Sequence, residues 1–325
     1  MKLSLTLLFV VTFLLFNGGC NRFTRSGREN HSADRLKFIF ITCVVNEDFF
    51  KPVIKGMGDA ARMMDVECTF TGTVGVDVVE QAEMVRKAIR DGYHGIALNI
   101  IDPLAFDDVA LEAAEAGIPL VAFNVDDHDT PNARLASVNQ QLYEAGLTLG
   151  REVAKQIQDD SHILMTMHAA GVSALNDRLR GVQDALGDSG LKNLSWKVII
   201  TGNTAVESSR VIANELEADS TIGWVLCTGQ ADTEGAVLAI SDGFAHRGCQ
   251  AAGFDLTPTI LKGIQQGHLF FTIDQQPYMQ GFYPVIQLAL LIRYGIKPSS
   301  IDAGASLVTK ENVGFITELT QQGYR

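Results

Sequence analysis

Two segments near the end of this 325-residue chain carry polar groups from an apolar run into a proline. They are Ala252-Gly253-Phe254-Asp255-Leu256-Thr257-Pro258 and Phe271-Thr272-Ile273-Asp274-Gln275-Gln276-Pro277. Each apolar run reads as a strand, and Thr-Pro or Gln-Pro reads as the start of the following helix. An acid or amide at the carboxyl end of a parallel strand faces the crevice in which open α/β sheets bind ligands. Asn99 and Asn124 end two earlier runs in the same way, 25 residues apart, and Gln230 and Asp255 repeat that interval. Amides both donate and accept, and acids accept, so such a set suits hydroxyl groups. No nucleophile stands beside these tips, so they point to reversible capture of a small polyhydroxylated molecule.

The elements that must position these groups follow from periodicity. From Leu36 onward, short apolar runs alternate with segments of helical period, the pattern of a parallel sheet covered on both faces. Strands are expected at 38–45, 66–71, 95–99, 118–124 and 135–138, with a long helix over 140–158. Asp102-Pro103 is expected to cap the third helix, and Gly56 and Gly58 to let the first helix approach the sheet closely. A second series of strands follows at 163–168, 196–201, 223–228, 250–254 and 269–273. Two similarly wound lobes are therefore expected, with a cleft between them. The apolar segment after Pro277 contains Pro284 and is too short for a membrane span, so it reads as a buried core helix.

Composition bounds the function. An apolar fraction of 46% supports a core in each lobe, and a net charge of −12 provides no basic stripe for nucleic acid. Met1-Lys2, the apolar run 3–16 and Asn17-Gly18-Gly19-Cys20 read as an export signal over 1–20, followed by a polar tether over 21–35. Gly-Gly-Cys resembles a bacterial lipoprotein signal, which implies Cys20 as the lipidation site. Cys43, Cys68, Cys227 and Cys249 lie in or beside apolar strands without metal-ligand spacing and read as buried free thiols, with Cys43 and Cys68 the pair if a bridge exists.

Taken together, the chain resembles the type I periplasmic sugar-binding proteins, the ribose-binding-like family that serves ABC transporters, from Leu36 to about Thr309. Three stretches carry the resemblance. Asn46-Glu47-Asp48-Phe49-Phe50 looks like the family's first ligand loop, Asp177-Arg178-Leu179-Arg180-Gly181 like its arginine segment, and Gly253-Phe254-Asp255 with Asp274-Gln275-Gln276-Pro277 like its acid and hinge-amide segments. The resemblance implies two Rossmann-like lobes joined by a three-segment hinge, 36–138 plus 276–304 and 139–275 plus 305–325. It implies ligand contacts from Asn46, Glu47, Phe49, Phe50, Asn99, Asn124, Ser137, Arg178, Gln230, Asp255 and Gln275, with Ser137 and Gln275 at two of the crossings. Arg178 would offer a planar fork of donors, and Phe49 and Phe50 an apolar wall for a sugar's C–H face. Glu47 stands where the family often has Asn, and Gly229-Gln230 where a ribose binder carries Asn-Asp. These departures argue against ribose itself, and the form Asp274-Gln275-Gln276-Pro277-Tyr278-x-Gln280-Gly281 looks like a subgroup handling varied monosaccharides and polyols.

The implied function is capture of a monosaccharide or polyol by hinge closure and delivery to an ABC transporter permease. The implied protein is a monomer without a cofactor, in the periplasm or on the outer face of the cytoplasmic membrane. The alternative is a sensory receptor presenting its closed form to a chemoreceptor or sensor kinase. An enzyme would need an activated nucleophile, a tuned acid and base, or a metal, and none is evident. Gly72-Thr73-Val74-Gly75 lacks dinucleotide spacing, and His128 within Asp126-Asp127-His128-Asp129 reads as part of a solvated loop.

Overall fold

The computed structural model describes residues 35–325 apart from Glu47, Pro103 and 127–131. Chain order gives β1 (Lys37–Thr42), α1 (Phe50–Met64), β2 (Glu67–Gly72), α2 (Val78–Arg90), β3 (Gly95–Leu98), α3 (Asp107–Glu115), β4 (Leu120–Asn124) and β5 (Ser137–Asn139). There follow α4 (Leu142–Ala154), β6 (His162–Met167), α5 (Ser173–Gly187), β7 (Ser195–Ile200), α6 (Ala205–Ala218), β8 (Ile222–Cys227), α7 (Gln230–Ala239) and β9 (Gln250–Phe254). The last elements are α8 (Pro258–Gln266), β10 (Phe271–Asp274), α9 (Pro277–Tyr294), β11 (Ile301–Asp302), β12 (Ser306–Val308) and α10 (Val313–Gln321).

These strands form two six-stranded sheets of the same winding, β2-β1-β3-β4-β5-β11 and β7-β6-β8-β9-β10-β12. Along β1, Phe38 and Phe40 enter one apolar cluster and Ile39 and Ile41 another, so both faces of the first sheet are covered. The second sheet is likewise sandwiched between two clusters. Fold class and the two-lobe architecture are those read from the sequence. One strand departs from the expected parallel order: β12 pairs antiparallel with β10. Only residues 303–305 separate it from β11, too few to carry the chain back to the starting edge of the second sheet.

Three short segments pass between the sheets: from β5 into α4, from β10 into α9, and from β11 into β12. The α9 helix returns to the first sheet, where Val285, Leu288 and Ala289 join the cluster of Phe38 and Phe40. It crosses α1 at Gly56 and Gly281. A Cβ at Gly56 would sit 2.0 Å from the Tyr278 carbonyl oxygen, and one at Gly281 1.9 Å from that of Val53. Gly56 thus serves a close approach to helix α9 and not to the sheet as expected, whereas a Cβ at Gly58 would meet only the Arg62 side chain, at 3.7 Å. Pro284 lies inside α9 without ending it. Among the described residues no helix is long and apolar enough to cross a membrane.

Boundaries moved where side chains intercept the backbone. Asp102 accepts from the amides of Leu104 and Ala105, closing a turn, so α3 begins only at Asp107 with Phe106 as its N-cap. The four described cysteines form no disulfide with one another, Cys227 and Cys249 being buried and Cys43 and Cys68 half-buried. Burial pushes the Cys68 thiol up to about 12. Cys20, the export signal and most of the tether lie outside the described residues.

Candidate functional site

The carboxyl ends of both sheets carry residues in the left-handed region, where a short polar side chain is tolerated best: Asn124 at φ 64° and Asp255 at φ 71°. They end the fourth strand of their respective sheets, β4 and β9, so the two lobes present an amide and an acid from equivalent positions. The other half of the expected equivalence needs correction. The amide of Asn99 bonds Ile41 at the end of β1, and the amide in the same relation to β6 belongs to Thr228, bonding Thr166. Gln230 instead opens α7.

A continuous chain of side chains joins these tips. Asn99 donates through Nδ2 to Thr42 Oγ1 at 3.2 Å and to Asn124 Oδ1 at 2.8 Å. Asn124 donates to Gln280 Oε1 at 3.1 Å and to Gln275 Oε1 at 3.4 Å, and Gln275 Nε2 donates to Asp255 Oδ1 at 2.5 Å. Gln280 returns a bond to the Gln275 carbonyl at 2.7 Å. The chain runs from the first sheet, through the β10-to-α9 passage, to the second, and every member is buried. Asn99 Oδ1 is buried without a hydrogen-bond partner, an acceptor with capacity left over.

Arg178 faces this chain from α5. Its side chain is buried, with 4% of the residue exposed, and its guanidinium lies over the Phe254 ring at 4.1 Å from the centroid. Nε and Nη2 donate to Gln140 Oε1 at 3.1 and 2.8 Å, and Nη1 donates to the Thr228 carbonyl at 2.9 Å. Three of its five N–H groups are so engaged, leaving two. The helix can bring it there because α4 and α5 touch backbone to backbone: a Cβ at Gly146 would lie 2.1 Å from the Arg178 carbonyl oxygen, and one at Gly181 2.2 Å from that of Tyr143.

Burial pushes the Asp255 carboxyl above its ordinary value and pulls Arg178 below its own, while attraction between the two opposes both shifts. Asp232 adds a second negative neighbour for Arg178. It is fully buried, accepting from Thr166 Oγ1 and from the amides of Thr228 and Gly229, with His168 Nδ1 at 3.4 Å.

A cavity of about 570 Å³ lies between the lobes, a size that accommodates a small ligand. Asn46 and Phe49 line it from the first lobe, Gln230 and Asp255 from the second. The aromatic pair divides: Phe49 faces the cavity, whereas Phe50, as the first residue of α1, turns into the core against Phe70 with ring centroids 5.5 Å apart. Phe50 thus backs Phe49 edge-on at 5.1 Å and does not form the wall itself. Ser137 lies within β5, bonded through its amide and hydroxyl to Ser300 Oγ at 3.2 and 3.4 Å, just ahead of the passage. Glu47 and His128 lie outside the described residues, and among the described ones no cluster of three His, Cys, Asp or Glu is placed to hold a metal. Thr257 caps α8 by accepting from the Ile260 amide, which leaves Asp255 to the cavity and to Gln275.

Sequence reasoning missed Gln140, Gln280 and Asp232, and also the Asp274–Arg325 pair at 3.1 Å, which lines the same cavity. The signal for Gln280 was within reach: it follows Gln275 by five residues on a helix that starts at Pro277.

Two winding-equivalent lobes, a cavity between them and convergent polar tips define a solute-binding fold. The family model described as a periplasmic binding protein domain matches residues 38–296, and the chain belongs to that family. It is similar to the xylose/arabinose-binding protein XylF of Sulfolobus acidocaldarius, with 28% identity over 297 residues, 85% of this chain and 72% of that one. A putative rhizopine-binding protein of Rhizobium meliloti is 24% identical over 288 residues, 87% of this chain and 93% of that one. Among solved structures, a carbohydrate transporter from Acidothermus cellulolyticus in complex with myo-inositol superposes with a TM-score of 0.77 at 27% identity, covering 90% of this chain and 100% of that one. The family and its structural neighbours are solute-binding proteins rather than enzymes.

Proposed function

We propose that this protein captures a neutral monosaccharide or cyclic polyol between lobes 36–138 plus 276–304 and 139–275 plus 305–325, and delivers it to an ABC transporter permease. The observation that carries the reading is the buried chain Thr42–Asn99–Asn124–Gln275–Asp255, which reaches the cavity at Asp255, with Arg178 near enough to Asp255 to attract it. It concentrates donors and acceptors without a nucleophile, which is what a ring of hydroxyls requires. Arg178 is offset by Asp255 and Asp232, so the buried charges leave no surplus positive charge for a carboxylate or phosphate. Similarity to proteins named for xylose, arabinose and rhizopine binding, and to one solved with myo-inositol, supports a small polyhydroxylated ring.

In this reading Asn46, Phe49, Asn99 and Asn124 contact the ligand from one side, and Arg178, Gln230, Asp255 and Gln275 from the other. Binding across the cleft stabilises the closed arrangement over the open one by the difference in contacts. Cys20 would anchor the protein outside the cytoplasmic membrane. The test is a thermal-shift screen of the purified protein against pentoses, hexoses, inositols and the corresponding uronates. A raised melting temperature with one or more neutral compounds and none with the uronates is expected, and no shift with any neutral sugar or polyol overturns the reading. Co-purification with a permease, as against a membrane sensor, separates delivery from signalling.

A further inference from the structure

The residue that aims Arg178 also sits where the chain passes from one lobe to the other. Gln140 lies between β5 and α4, completely buried. Its Oε1 takes both the Nε and Nη2 protons of Arg178, and its Nε2 donates to the Gly304 carbonyl at 2.8 Å, on the β11-to-β12 passage. Gln276, on the β10-to-α9 passage, donates to the neighbouring Ala303 carbonyl at 2.7 Å. Segment 303–304 is therefore gripped from both other crossings, and one of the grips continues directly into the guanidinium.

We propose that Gln140 is a positioning residue for the ligand, fixing the plane of the Arg178 guanidinium and tying it to the crossing strands. Among the described residues, the other hydrogen bond of Arg178 goes to the Thr228 carbonyl, just past the end of β8. A guanidinium held on one edge by a single two-fold acceptor has its plane set, so its remaining N–H groups keep a fixed direction. A rotation of the β5-to-α4 passage relative to segment 303–304 must stretch either the bond to Gly304 or the pair to Arg178. Domain movement and the direction of the ligand's strongest donor are thereby linked. The inference rests on the sugar-binding reading, and its test keeps the two apart.

Affinity for the tightest neutral ligand of the thermal-shift screen is measured by calorimetry in a double-mutant cycle of Gln140→Ala and Arg178→Ala. Gln140→Ala alone is expected to weaken binding by about tenfold or more, and by less than about twofold once Arg178 is already Ala. Gln140→Glu, which keeps the acceptor for Arg178 but loses the donor to the Gly304 carbonyl, is expected to weaken binding by less than Gln140→Ala does. If Gln140→Ala does not fold, Gln140→Met, similar in length without polar atoms, takes its place. Equal losses in both backgrounds, or wild-type binding by Gln140→Ala, overturn the proposal. A readout independent of sugar is the Arg178 Nε–H resonance of the ligand-free protein, expected to resist solvent exchange in the parent and to lose that protection in Gln140→Ala. If no sugar binds but this resonance behaves as expected, the sugar reading fails while the anchoring of Arg178 stands. If sugar binds and the resonance is unaffected, the anchoring fails alone.

Discussion

At the scale of single residues, Asp255 is the group whose protonation should show. Its carboxyl is raised above the ordinary value of 3.8 by burial, with Arg178 and Gln275 working against the shift. For an acid raised in the folded state, the contribution to stability is complete below the unfolded value and is lost as pH rises through the folded one. Ligand binding runs the other way, because the ionised form is the better acceptor. On acidification from pH 7, affinity is therefore expected to decline at a pH above 3.8, with protons taken up as ligand leaves, and Asp255→Asn should show weak but nearly pH-independent binding. Calorimetry across pH 4 to 7 in buffers of different ionisation enthalpy checks this, and a flat profile in the unsubstituted protein would refute it. Asp255 and Gln275 were legible as strand tips because a polar residue after an apolar run and before proline has few structural uses, and Asn124 because it ends an apolar run 25 residues after Asn99. Gln140 was not, since its partner lies 38 residues away and a Gln-Gln pair ahead of a helix carries no local signal. Phe49 and Phe50 could not be separated until the start of α1 fixed which ring turned inward.

At the scale of elements, the site depends on how closely α4 and α5 approach. Gly146→Ala would place a methyl 2.1 Å from the Arg178 carbonyl oxygen, so the helices must part. A loss of about 1–3 kcal/mol in denaturant melts is expected, accompanied by weaker ligand binding because the displaced turn carries Arg178. Gly187→Ala, at the end of the same α5 helix and facing open space, supplies the control and should be neutral or slightly stabilising. Equal behaviour of the two variants would refute the close-approach argument. Strands and most helices were readable because buried parallel strands are continuous apolar runs and covering helices keep their period. What eluded the pattern were places where a side chain or a short connection overrules it: the Asp102 turn that delays α3, and the reversed β12.

At the scale of the whole molecule, three passages and a buried polar chain connect the two lobes beside the cleft. Saturating a neutral ligand is expected to reduce the radius of gyration measured by small-angle scattering, while a uronate at the same concentration leaves it unchanged. An unchanged radius with ligand demonstrably bound would remove hinge closure from the mechanism. The interleaved path of the chain bears on its biogenesis. The first sheet waits for β11, and its aromatic face for Val285, Leu288 and Ala289 of α9. Both arrive after five of the second sheet's six strands have left the ribosome. The amino-terminal sheet thus cannot complete its packing until residues 285–302 have been made.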